Sequence, residues 1–213
     1  MLSILDDNLW FPNPDEATKD GLLAIGGDLS TERLLLAYSS GIFPWYNDDL
    51  PMWWHPNPRF VLFPNELKVS KSMKQVIAKN AFEFRINSSF KQVITSCKNI
   101  FRKEQDGTWI NEDVVDAYYS LHLKGFAHSA ETWNNGKLVG GLYGIKLGKV
   151  FFGESMFSNE SNASKFAFIK YVEQLKLEGI VLIDCQIYTE HLESLGARMI
   201  ERNDFMKVLK ESI

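Results

Sequence analysis

Apolar positions recur along this chain with two different periods, and the change between them organises it. From residue 70 to about 124 the period is helical. Met73, Val76 and Ile77 share one face of a helix over 70–79, with Ser70 placed as its N-cap. Phe90, Val93, Ile94, Cys97, Ile100 and Phe101 keep the i, i+3, i+4 spacing of a second helix. Gly107-Thr108-Trp109-Ile110 interrupts it. Val114, Val115, Tyr118 and Leu121 then mark a third helix over 112–124, ended by Gly125. Phe84 to Ile86 reads as a short strand between the first two helices. From Ala127 the pattern becomes strand-like. Ser129–Trp133, Lys137–Ile145 and Lys149–Phe157 read as three strands of a meander. Asn134-Asn135-Gly136 and Gly148-Lys149 join them, because Asn and Gly supply the positive φ of tight hairpins. A helix over 162–177, a buried strand Ile180–Asp184, a short helix His191–Leu195, a strand Arg198–Ile200 and a helix Asn203–Glu211 follow. Together these predict an α/β (α+β) domain with a mainly antiparallel sheet.

The first 64 residues read differently. They are rich in aromatics, Pro and Gly, and regular structure looks scarce. The glycines of Gly21 to Ser30 (GLLAIGGDLS) are expected to supply turns. No Lys-Ser/Thr follows them, so they form no phosphate loop. Ser30 is placed to cap a helix through Leu34, Leu35 and Tyr38, which Gly41 stops. Gly41 to Tyr46 and Trp53 to Arg59 are dense in aromatics. Two readings fit: the core of a small domain, or a platform on which bases stack. The expected division is a small N-terminal domain, 1–64, and a larger domain, 65–213.

A length of 213 residues suits that division, and 45% hydrophobic with 23% charged residues is ordinary for a soluble protein. No apolar run has transmembrane length. The first eight residues carry Asp6 and Asp7 and no Lys or Arg, so no secretory signal is expected. Cys97 and Cys185 have no metal-type spacing and read as buried thiols of a cytoplasmic protein. No metal or cofactor is expected. The net charge is −4, yet nine basic residues and one acidic residue lie between Lys68 and Lys103, a local +8. Lys71, Lys74 and Lys79 belong to that stretch. It reads either as a polyanion footprint or as a solvated helical face.

Candidate chemistry sits in Phe151 to Ser158 (FFGESMFS) and Ile183 to Gln186 (IDCQ). Each places polar groups beside strand-like apolar residues. A carboxylate at the end of a buried strand is costly unless paired or hydrogen-bonded. Glu154, Asp184 and Gln186 therefore read as a polar site set in an apolar cleft, or as two carboxylates doing no more than capping or facing solvent. Asp184 and Gln186 are two apart, and on a regular strand they share a face.

The motifs GLLAIGGDLS, Gly41 to Trp45 (GIFPW), Trp53 to Arg59 (WWHPNPR), Gly107 to Ile110 (GTWI), Leu138 to Gly144 (LVGGLYG), FGESMFS, Ala163 to Lys165 (ASK), IDCQ and Ser194 to Ala197 (SLGA) occur in this order across nearly the whole chain. Together they resemble the leucyl/phenylalanyl-tRNA–protein transferase family. The resemblance implies a C-terminal domain like the GNAT acetyltransferase fold. It implies an aminoacyltransferase that moves leucine or phenylalanine, with methionine a third option, from charged tRNA. The acceptors are proteins or peptides with N-terminal Arg or Lys, which the transfer marks for degradation. A cytoplasmic monomer with no membrane partner is expected. No Gln/Arg-x-x-Gly-x-Gly/Ala string is present, which argues against the rival reading as an acyl-CoA transferase. The other rival is a tRNA- or peptide-binding module without turnover.

Within that reading Gln186 holds the attacking amine by its amide oxygen. Asp184 orients or polarises Gln186, or stabilises the ammonium. Glu154 holds polar groups of the terminal adenosine or the amino group of the transferred residue. The resemblance further implies that Trp45 and Trp109 sandwich the terminal adenine, with Tyr118 close by. Leu142, Met156 and Tyr171 are candidates for the aminoacyl side-chain slot, or are ordinary core. Lys71, Lys74 and Lys79 are expected to meet acceptor-stem phosphates. His55 departs from the usual Ser of the family, and Ala130 stands where a branched residue is common.

Overall fold

The computed structural model describes residues 2–46, 50–100 and 108–213. The strands are β1 (Ser3–Leu5), β2 (Leu22–Gly26), β3 (Phe43–Pro44), β4 (Met52–Trp54), β5 (Arg59–Leu62), β6 (Glu83–Ile86), β7 (Ala127–Asn134), β8 (Lys137–Leu147), β9 (Val150–Ser158), β10 (Leu182–Gln186) and β11 (Arg198–Ile200). The helices are α1 (Thr31–Ser39), α2 (Lys71–Ala78), α3 (Phe90–Asn99), α4 (Glu112–Leu123), α5 (Ala163–Leu177), α6 (Glu190–Glu193) and α7 (Arg202–Ser212). The helical and meander periods thus land on the elements they predict. Ser70 caps α2 by accepting from the Met73 N–H at 3.2 Å. Phe101, the last apolar position expected of the second helix, lies outside the described residues, as do Arg102, Lys103 and Gly107.

Two features of the N-terminal part differ from expectation. Leu22 to Gly26 is a strand, paired with β1 on one side and β4 on the other, while Gly21, Gly26 and Gly27 take the positive φ expected of turn glycines. Trp53 and Trp54 likewise belong to a strand, and the Trp53 indole N–H donates to the Gly26 carbonyl at 2.9 Å. The first sheet runs β1-β2-β4-β3. β5, just before residue 64, pairs with β10 and β11 in the second sheet. Arg33 on α1 ties the irregular N-terminal segment to this unit by donating to the carbonyls of Asp6 and Asn8 at 2.8 and 3.0 Å.

The second sheet has the order β11-β5-β10-β9-β8-β7-β6. Its pairs are antiparallel except β9 with β10. This is the expected mixed, mainly antiparallel α/β architecture. One core joins the first sheet to the face carrying α3 and α4, and includes Trp53, Tyr38, Tyr118 and Phe152. A second core packs α5 and α2 on the other face, around Phe151, Leu142 and Ile183. Burying both faces accounts for the nearly continuous apolar character of β8.

Register shifts between β7 and β8 at Thr132 and Trp133, and again where β9 and β10 part. The parallel ladder of β9 and β10 ends at Phe152 and Asp184, although β9 runs on to Ser158. Against β8, Gly153 pairs with Gly144 and Ser155 with Tyr143, so Glu154 is an extra residue in β9. Against β5, Asp184 pairs with Val61 and Gln186 with Phe60, so Cys185 is an extra residue in β10. Both strands therefore bulge where they part. A bulge re-aims side chains and ends pairing. Gly144 lets this happen, since a Cβ there would collide with the Phe152 carbonyl oxygen.

Candidate active site

The parted strands open onto a cavity of about 560 Å³. Its walls are mostly apolar, and Glu154 within β9 and Gln186 at the end of β10 are among its polar groups. Gln186 has φ +66°, a left-handed backbone that non-glycine residues seldom adopt. A carboxylate compensates: the Gln186 backbone N–H donates to Asp184 Oδ1 at 2.9 Å. The Gln186 side chain then meets Glu154, its Nε2 donating to Oε1 at 2.8 Å. The amide oxygen of Gln186 is the end that Glu154 does not engage.

Glu154 is also held from the other side. The Tyr118 hydroxyl on α4 donates to Oε2 at 3.1 Å. The Tyr38 hydroxyl on α1 hydrogen-bonds to the Tyr118 hydroxyl. Burial raises the Glu154 carboxyl to about 7, against the opposing pull of its hydrogen bonds from Tyr38, Gln186 and Tyr118. Burial likewise drives both tyrosine hydroxyls well above their usual range, so they remain proton donors.

Asp184 is placed otherwise than expected. It is fully buried, and Arg59 Nε and Nη2 donate to its two oxygens at 2.8 and 2.7 Å. The Arg59 guanidinium lies 4.7 Å from the ring centres of both Phe43 and Phe205. The bulge at Cys185 removes the shared face predicted from the two-residue spacing, and Asp184 does not line the cavity. Of the two expectations for Asp184, contact with the Gln186 backbone matches its placement, and a position on the cavity wall does not. Sequence reasoning gave no role to Arg59 or Tyr38. A lone Arg opening the apolar run of β5 was a usable signal, since a buried Arg needs a partner.

Of the other expected residues, Trp45, Trp109, Leu142 and Met156 line the cavity. Trp45 leans on Trp54, with ring centres 5.7 Å apart, and Trp109 stands edge-on to Tyr118 at 6.4 Å. Tyr171 is not on the cavity wall; it is a core residue of α5, edge-on to Phe151 at 5.1 Å. Its side chain points into the sheet because α5 covers that face. Lys71, Lys74 and Lys79 are exposed on or at the end of α2, away from the cavity wall. Cys185 does line it, its thiol pushed up by burial and by the nearby Asp184 charge. His55 is buried behind the site, bonded to the Gly41 carbonyl at 2.9 Å. Burial and Arg59 depress its imidazole to about 4.

The sequence profile described as "Leucyl/phenylalanyl-tRNA protein transferase" matches residues 61–210, and that of the same family's N-terminal domain matches 27–57. The chain belongs to the leucyl/phenylalanyl-tRNA protein transferase family. It is an aminoacyltransferase by that membership. Relatives bearing the name leucyl/phenylalanyl-tRNA–protein transferase include one from Flavobacterium johnsoniae, 55% identical over 95% of this chain and 96% of its own length. One from Flavobacterium psychrophilum is 53% identical over 99% and 100%. One from Nitrosospira multiformis is 55% identical over 100% and 93%. Solved structures of similar shape include a GCN5-related N-acetyltransferase from Kribbella flavida, with TM-score 0.40 and 10% identity over 78% of this chain and 59% of that one. A conserved protein of unknown function from Staphylococcus epidermidis gives TM-score 0.47 and 10% identity over 84% and 68%. The two family profiles meet between 57 and 61, where β5 enters the second sheet.

Proposed function

We propose that this protein transfers leucine or phenylalanine, with methionine a third option, from charged tRNA to the α-amine of proteins that begin with Arg or Lys. It acts as a cytoplasmic monomer, and the added residue marks the acceptor for degradation. The observation that carries this reading is the meeting of Gln186 and Glu154 on one wall of an apolar cavity that Trp45 and Trp109 also line.

The reaction is aminolysis of an ester. The amine nitrogen bonds to the ester carbonyl carbon, and the bond from that carbon to the ribose oxygen breaks. The nitrogen loses one proton and the ribose oxygen gains one. An α-amine has an ordinary pKa of ~7.7–8.0, so part of it is free base near neutrality. The ester is already activated, and no strong base is needed. Positioning alone is worth roughly 7–11 kcal/mol of barrier. Gln186 Oε1 accepts a hydrogen bond from the amine and aims its lone pair. Glu154 fixes the amide, and the ion pair of Arg59 and Asp184 fixes the strained backbone beneath it.

Trp45 and Trp109 offer flat faces to the terminal adenine. Tyr118, which reaches the site through Glu154, supports that end. Leu142 and Met156 give an apolar, adaptable wall to the aminoacyl side chain. Lys71, Lys74 and Lys79 are free to meet phosphates, contacts that set affinity without reading sequence. To test the reading, leucyl-tRNA or an acyl-CoA is supplied with an Arg-initiated peptide in parallel reactions. Extension of the peptide by leucine from tRNA alone is expected. Acylation from CoA alone would overturn the assignment.

A further inference from the structure

Glu154 is a half-buried carboxylate whose hydrogen-bond donors among the described residues are all neutral. Gln186 Nε2 occupies Oε1, and Tyr118 occupies Oε2. Tyr38, fully buried on α1, bonds to Tyr118 and also interacts with Glu154. From β10, the Asp184 charge faces Glu154, but Arg59 on β5 is already engaged with that carboxylate at both oxygens. Tyr143 on β8 packs edge-on against Tyr118. The ionised state uses every donor. Tyr118 gives its one hydrogen to Glu154, Tyr38 gives its hydrogen to the Tyr118 oxygen or to Glu154, and Gln186 gives an amide hydrogen.

A proton added to Glu154 has two places to go. On Oε2 it must be donated toward Tyr118, which reverses the tyrosine pair and takes the Tyr118 acceptor away from the fully buried Tyr38 hydroxyl. On Oε1 it faces Gln186, whose amide must turn over to present its oxygen. The tyrosines make the first arrangement the costly one.

We propose that Tyr38 and Tyr118 are positioning residues that tie the orientation of the Gln186 amide to the charge on Glu154. With Glu154 ionised, Gln186 presents its oxygen to the cavity and holds the acceptor amine. With Glu154 protonated, Gln186 presents its NH₂ group, which repels the amine hydrogens, and transfer stops. Transfer therefore needs two deprotonations, one at the amine and one at Glu154. Burial places the second near neutrality, at about 7. The inference rests on the function proposed above.

The test is the pH dependence of single-turnover transfer from preloaded leucyl-tRNA to an Arg-initiated peptide, between pH 5.5 and 8.5. The amine's own titration is followed separately by NMR. For the wild type, the acid limb is expected to approach a slope of two. Tyr38→Phe lets Tyr118 accept a proton from Oε2 with no Tyr38 hydrogen left unplaced, so the Gln186 amide need not turn over. Its acid limb should fall back toward the amine's single slope, with a rate roughly fourfold above the wild type at pH 6.5 and little change at pH 8.5. Its affinity for charged tRNA should match the wild type. Glu154→Gln should reduce the limb to the amine's single slope. A wild-type limb of slope one that follows the amine alone would overturn the inference, even if the Tyr38 variant does not fold. So would a folded Tyr38→Phe protein with an unmoved limb. Absence of transfer at every pH would instead remove the functional reading itself, and this inference with it.

Discussion

Asp184 and Glu154 lie close to the point where β9 and β10 part, yet they are held in opposite ways. Asp184 is sealed from the cavity in a bidentate ion pair with Arg59, and two phenyl rings cover the guanidinium. Glu154 lines the cavity and, among the described residues, receives hydroxyl and amide donors only. A charge partner fixes a carboxylate as structure. Neutral donors in a buried place leave a carboxyl raised to about 7, where it exchanges a proton in the working range. In the function proposed above, the first arrangement serves to anchor and the second serves the chemistry.

The comparison breaks most severely if Arg59 is removed. Arg59→Ala leaves Asp184 buried and uncompensated, at a cost of about 3–5 kcal/mol of stability. Urea unfolding would read this as a lower midpoint at unchanged slope. If Arg59→Ala unfolds at the wild-type midpoint, the pair is not an anchor.

Next in size is the effect of pH on stability through Glu154. An acid whose pKa rises from the ordinary 4.5 to about 7 on folding keeps its proton longer when folded. Its contribution is full below pH 4.5 and is lost as pH rises through 7, a change of about 3 kcal/mol. Glu154→Gln should flatten that part of the stability curve measured by thermal melts at each pH. Arg59→Ala should leave it in place.

Smaller effects concern substrate binding. Trp45→Ala and Trp109→Ala should each weaken binding of charged tRNA by ~1–3 kcal/mol, and the Trp→Phe variants by less. Equilibrium titration distinguishes this from a core role, in which Trp109→Ala unfolds the protein and Trp109→Phe binds as wild type. The smallest effect is expected at α2. Replacing Lys71, Lys74 and Lys79 with Ala should lower the salt slope of tRNA binding by ~0.7–0.9 per lost contact. An unchanged slope would return that face to plain solvation.

Much of this was legible in the chain because local signals and tertiary packing agree. Ser70, the apolar stripe of α3 and Asn134-Asn135-Gly136 each specify an element within a few residues. The candidate site was legible in part: Glu154 and Gln186 stood out as polar residues beside apolar strand residues, and both line the cavity. Their mutual bond was hidden, because bulges at Glu154 and Cys185 arise from register against β8 and β5, not from local composition. Arg59 precedes Asp184 by 125 residues, and spacing at that range carries no pairing signal. Tyr38 looked like one more apolar position of α1, since the helical period shows the face and not the hydroxyl's partner. Tyr171 misled for the same reason: its position in an apolar stripe fits a pocket wall or a core equally well.

The most direct measurement is single-turnover transfer from preloaded leucyl-tRNA by Gln186→Ala, beside the wild type and Gln186→Glu. Gln186→Ala should slow transfer by ~10²-fold or more while charged tRNA binds with unchanged affinity. Gln186→Glu should keep part of the rate, because an acceptor oxygen remains. A folded Gln186→Ala protein that transfers at the wild-type rate would contradict the account.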